Sequence, residues 1–91
     1  MIKSFRSKAL KRFFEKGDSS KLSVPNHDRV RRQLITLDEA SAPEAMDIPG
    51  WRLHGLQGKP KRYAVDASGN WRLTFGFEGK DAVAVDLEDY H

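Results

Sequence analysis

The stretch WRLTFGFEGKDAVAVDL, residues 71–87, alternates apolar side chains with polar or small ones. Trp71, Leu73, Phe75 and Phe77 fall on one side, and Arg72, Thr74 and Gly76 on the other. A period of two belongs to a strand, where successive Cβ atoms point to opposite faces. In a helix the same four large side chains would split between two sides. Glu78-Gly79-Lys80 reads as a hairpin turn, after which Val83, Val85 and Leu87 alternate with Ala82, Ala84 and Asp86. A hairpin with one apolar face must bury that face against something, which points to an antiparallel sheet covered on one side.

Upstream, WRLHGL (51–56) and KRYAVD (61–66) carry the same period. Trp51 and Leu53 alternate with Arg52 and His54, and Tyr63 and Val65 with Arg62 and Ala64. ASGN (67–70) is the turn before the strand that begins at Trp71. The first third is helical. Phe5, Ala9 and Phe13 share a stripe that Leu10 and Phe14 widen, with Ser4 as the expected N-cap and Gly17 as the stop. MIKS before it has the makings of a short strand. A second helix is expected from Pro25 or Asn26 to about Ala40. Val30, Leu34 and Leu37 form its apolar face, and Arg29, Arg31, Arg32 and Gln33 its wet side. SAPEAMDIPG (41–50) reads as loop with room for a brief helical turn at Ala45 and Met46. The expected fold class is therefore α+β, a single domain over residues 1–91. Two N-terminal helices pack on one face of a curved, mainly antiparallel sheet.

Composition narrows the chemistry. With no cysteine among 91 residues there is neither a disulfide framework nor a thiolate metal site. His27, His54 and His91 lack close metal-ligand spacing, so no metal or cofactor is expected. No glycine-rich phosphate loop of recognised spacing is present. MIKSFRSK has no apolar segment behind its basic residues and no run approaches a membrane span, so a cytoplasmic protein without membrane contact is expected. The net charge of +3 is unevenly spread. Residues 1–36 carry ten Lys/Arg against three acids, residues 37–50 four acids and no base, and residues 51–91 six of each. A basic first third suits nucleic acid or an acidic protein surface, or is simply the solvated side of two helices.

Period two also sorts the sheet's far face. If Leu53 and Trp71 face the helices, His54 and Arg72 face away together, from different strands. Thr74, Gly76, Ala82 and Ala84 would then form a floor of small side chains beside them, with Lys59 at the rim. An ordinary solvated sheet face fits the same pattern.

The run from Trp51 to His91 resembles the HigB-type (plasmid-maintenance killer) toxins of the RelE superfamily. The matching pieces are the L-H-x-L-x-G segment (Leu53, His54, Leu56, Gly58), N-W-R-L-T-F (Asn70 to Phe75) and the D-Y-H ending (Asp89, Tyr90, His91). MIKSF and FEKG (Phe14 to Gly17) are similar to the family's opening. Relatives often carry lysine where Gln57 stands, a place where glutamine donates a hydrogen bond but brings no charge. The resemblance implies an mRNA endoribonuclease that works in the A site of the 70S ribosome and arrests translation. It also implies a HigA-type helix-turn-helix antitoxin as partner, with operator DNA bound only through the antitoxin complex.

Carried over residue by residue, the resemblance places His54, Arg72, Tyr90 and His91 in the catalytic set. Lys59, Lys61, Arg62 and Asp89 are expected to hold RNA. Histidine titrates near neutrality and suits either proton transfer. Arginine gives a permanent, bidentate grip on phosphate, and an aromatic ring can stack on a base. Arg72 is assigned to the scissile phosphate, His91 to proton transfer, His54 to the second proton transfer or to the phosphate, and Tyr90 to a base or the 2′-OH. Two alternatives stay open: a non-nucleolytic ParE-like toxin acting on DNA gyrase, and a non-catalytic module that binds RNA or a partner.

Overall fold

A computed structural model describes residues 1–89. In chain order the elements are α1 (Lys8–Lys16), α2 (His27–Glu39), a 3-10 turn (Pro43–Met46), β1 (His54–Leu56), β2 (Arg62–Asp66), β3 (Trp71–Glu78) and β4 (Asp81–Asp89). The strands form one antiparallel sheet in the order β1-β2-β3-β4. The α+β class expected from the sequence is the one observed.

The helices are bounded by local chemistry. Ser7 caps α1, its side chain accepting from the Leu10 N–H, and Gly17 ends it at φ 69 with its own N–H on the Phe13 carbonyl. The cap is thus Ser7 and not Ser4. Ser4 is engaged elsewhere, its Oγ accepting from the Ala84 N–H at 2.8 Å. Phe5 likewise leaves the helical stripe to bridge Val85, and Ile2 bridges Ala82, so the opening segment runs parallel to β4 along its edge. That segment covers backbone groups that would otherwise stay open to pairing. Asn26 caps α2 by accepting from the Arg29 N–H.

The core lies between the helices and the sheet. Leu10, Val30, Leu34 and Leu37 meet Val65, Leu73, Phe75 and Val85, all at 0% exposure. Burying each such side chain stabilises the fold by roughly 1.5–3 kcal/mol, which a chain of this size needs. Trp51 joins this core, and Tyr63, Trp71 and Phe77 pack against it.

The β3–β4 ladder departs from simple alternation. Thr74 pairs with Asp86 but Gly76 pairs with Val83, so β4 has one residue more than β3 across this interval. The extra residue is a bulge at Ala84, which sits at φ 52. Phase therefore changes along β4. Ala82, opposite Phe77, faces the core at 0% exposure, while Val83 pairs with Gly76 on the other face. The expected floor of small residues loses Ala82 for this reason. Thr74, at 1% exposure, lies beneath Arg62 and Glu88. β1 is also shorter than WRLHGL suggests, because Arg52 adopts a left-handed φ of 56 and breaks the ladder before His54.

Candidate active site

Residues directly opposite one another in paired strands share a face. His54 pairs with Ala64, Ala64 with Thr74, and Thr74 with Asp86. In the next row Asp66 pairs with Arg72 and Arg72 with Glu88. All stand on the face turned away from the helices, as the alternation of Leu53/His54 and Trp71/Arg72 predicts. Between His54 and Arg72 on β2 stands Ala64, whose methyl group leaves room for the arginine to cross.

Arg72 reaches His54 across that gap. Its Nη1 lies 3.3 Å from His54 Nε2, while His54 Nδ1 lies 2.8 Å from the Arg52 carbonyl. A carbonyl only accepts and a guanidinium only donates, so the proton sits on Nδ1 and the lone pair on Nε2. The imidazole is thus held in one tautomer, its basic nitrogen directed at a cation. Beside this pair opens a cleft of about 510 Å³ lined by Arg52, Leu53, His54, Asp66, Gly69, Asn70, Trp71 and Arg72. Arg52 Nε approaches the Asp66 carboxylate at 3.5 Å.

Arg62 stands on the same face, its guanidinium engaged with the fold. Nη1 donates to the Ala84 carbonyl at 3.1 Å and Nη2 to Thr74 Oγ1 at 2.9 Å, and that hydroxyl donates to Glu88. Arg62 thereby braces the bulge. Burial lowers its pKa below the ordinary arginine value, the Arg6 charge adds to this, and Glu88 and Asp86 oppose it. Lys61 lies on the opposite face, its Nζ 3.4 Å from the Leu56 carbonyl and 5.7 Å from the centre of the Tyr63 ring. Lys59 is exposed in the β1–β2 connection, outside the cleft lining. Asp89 ends β4 opposite Trp71, one position from the Arg72–Glu88 pair. Tyr90 and His91 lie outside the described residues.

The fold thus brings His54 and Arg72 together and keeps Lys59 and Lys61 apart from them. Sequence reasoning missed Arg52 and Asp66 as lining residues. Asp66 was legible, since period two along KRYAVD puts it on the same face as Arg62 and Ala64. Arg52 carried no signal, because nothing local marks its left-handed backbone. Among the described residues no three His, Asp or Glu side chains converge on a common point suited to a metal ion. None of the described helices is long and apolar enough to cross a membrane.

The chain is 38% identical over 92 residues to the Endoribonuclease HigB of Proteus vulgaris, with the whole of both chains covered. Residues 3–91 match the family model described as the RelE-like toxin of the type II toxin–antitoxin system HigB. The chain belongs to the HigB-like toxin family, the RelE-like toxins of type II toxin–antitoxin systems.

Proposed function

We propose that this toxin is a ribosome-dependent mRNA endoribonuclease that cleaves by attack of the 2′-OH on the adjacent phosphate. One observation carries the proposal: Arg72 and His54 converge at 3.3 Å on the open sheet face, beside a cleft. The full-length similarity to a protein named an endoribonuclease supports endonucleolytic cleavage of RNA.

The chemistry needs a base, an acid and a group to bear charge. An incoming phosphate draws the Arg72 guanidinium onto its oxygens, where two parallel N–H donors hold it bidentately. That movement releases the Nε2 lone pair of His54, which takes the 2′ proton. The 2′ oxygen bonds to phosphorus, the bond from phosphorus to the 5′ oxygen breaks, and that oxygen gains a proton. The products are a 2′,3′-cyclic phosphate and a 5′-hydroxyl. His91 is the proposed proton donor to the leaving oxygen, and Tyr90 the residue that stacks on a base or orients the 2′-OH. Both assignments rest on the similarity of the D-Y-H ending to the family. Each well-placed acid or base is worth on the order of 10²–10⁴ in rate.

No step uses a metal ion, so cleavage is expected to persist in a chelator. The proposed substrate is mRNA in the A site of the 70S ribosome. Lys59 is proposed to steer its backbone, with Arg62 and Asp89 setting the charge around the path, while Lys61, on the opposite face, stands away from it. The proposed partner is a HigA-type helix-turn-helix antitoxin, with operator DNA reached only through that complex and the cytoplasm as site of action. Ribosome-bound mRNA carrying a single 2′-deoxy nucleotide at the cleavage position tests the mechanism: cleavage there should stop while neighbouring sites stay competent. Inhibition of DNA gyrase supercoiling without RNA cleavage would favour a ParE-like action instead.

A further inference from the structure

α2 reaches into the frame of the proposed site. If β1 continued backwards from its His54–Ala64 pair, Arg52 would lie opposite Asp66. It does not, because Arg52 turns left-handed at φ 56. The Asp66 N–H instead donates to the Trp51 carbonyl at 2.7 Å. The Asp66 carbonyl accepts from α2: Gln33 Nε2 at 2.8 Å, Arg29 Nη2 at 3.3 Å and Arg29 Nε at 3.4 Å. Arg29 Nη2 also donates to the Gly50 carbonyl at 2.8 Å.

Gln33 is the more informative of the two. It is fully buried, and its Oε1 has no hydrogen-bond partner among the described residues. A buried amide is costly unless it is used, and here only its donor is used. Backbone groups 50, 51 and 66 are thus fixed around the one residue whose carbonyl sets the His54 tautomer.

The geometry assigns Arg29 and Gln33 as positioning residues. By occupying the Asp66 carbonyl in place of a continuing β1, they stabilise the turn at Arg52 that offers its carbonyl to His54 Nδ1 and leaves Nε2 to face the cleft. The catalytic consequence rests on the proposed role of His54; the tautomer claim stands apart from it.

The test uses the full chain labelled with ¹⁵N, reading the His54 ring nitrogens by two-bond ¹⁵N–¹H correlation and assigning them with His27→Gln and His91→Gln. The unaltered protein should show protonated Nδ1. Gln33→Met and Arg29→Met should each move His54 toward a mixture of tautomers. Their kcat for mRNA cleavage should fall about tenfold, as for a weakened general base, with KM within about twofold. Arg29→Lys, which keeps a donor, should recover most of both. If Gln33→Met does not fold, Arg29→Met decides, since it lies partly exposed on α2. Variants that melt cooperatively with His54 signals unchanged would overturn the inference. Normal cleavage by His54→Ala would instead refute the catalytic role of His54, and the tautomer comparison would still decide the positioning.

Discussion

Arg52 offers a stability test with an inverted sign. Its φ of 56 costs a residue bearing a Cβ roughly 1–2 kcal/mol. Glycine escapes that cost but loses about 0.5–1 kcal/mol through its larger unfolded-state freedom. Arg52→Gly and Arg52→Ala both remove the exposed pair with Asp66, worth under about 1 kcal/mol, so that loss cancels between them. The glycine variant should therefore be the more stable by about 0.5–1 kcal/mol, the reverse of the usual order inside a strand. For a chain of this length that separates the melting temperatures by roughly 3–6 °C. Arg52→Val, branched at Cβ, should be the least stable of the three, because φ above zero is a true outlier for such residues. Thermal denaturation of the three variants side by side gives the ranking. Because Arg52→Gly keeps the left-handed turn that presents the backbone carbonyl to His54, its cleavage rate should also exceed that of Arg52→Val. An alanine variant as stable as the glycine variant or more so would refute the left-handed turn and the frame built on it.

Other perturbations address separate parts of the molecule. Thr74→Val removes a hydroxyl that joins Arg62 to Glu88; two charge-assisted bonds, discounted for the exposure of Glu88, make a loss of about 2 kcal/mol in urea denaturation, and a loss under about 0.5 kcal/mol would show that the relay does not brace the sheet. Leu34→Ala, at a fully buried position on α2, should cost about 2–5 kcal/mol by the same measurement. Asp18 has its carboxyl held below the ordinary value of 3.8, first by the Ser20 side chain and then by the Ser20 N–H, with Arg12 and Lys21 adding to this against the opposing effect of desolvation. A depressed carboxylate pKa adds stability that is complete above the unfolded value and is lost as pH falls through the folded one. The melting-temperature gap between the unaltered protein and Asp18→Asn should therefore be widest above about pH 5 and close as the pH drops below the ordinary Asp value.

The sequence was most legible where a local rule decides the outcome. Period two set β3 and its core face, and put His54 and Arg72 on one side of the sheet. The stop at Gly17 and the start of the second helix near Asn26 were readable because helix ends are set within a few residues. Errors arose where distant partners decide. Ser4 and Ser7 are equally good caps, and the choice is made by Ala84, whose N–H takes Ser4. Gln33 belongs by composition to the wet side of α2, yet the carbonyl of Asp66 draws it into the core. The bulge at Ala84 and the turn at Arg52 place non-glycine residues at positive φ, which no neighbouring residue announces. The bulge reassigned Ala82 to the core and so altered the floor of the site. Lys61 was readable as distant from the cleft, since it keeps phase with Tyr63 and Val65. Tyr90 and His91, assigned by family resemblance, lie outside the described residues.

The pairing of Arg72 with His54 is the centre of the proposed chemistry. Its most direct test is the single-turnover rate of ribosome-bound mRNA cleavage by Arg72→Ala, compared with the unaltered chain at saturating enzyme. Loss of a donor aimed at developing charge typically lowers such a rate by about 10²–10³. A fall of that size, in a variant that melts normally, is the expected result. A rate within about threefold of the unaltered chain would contradict the assignment of Arg72 to the scissile phosphate and, with it, this face of the sheet as the site of reaction.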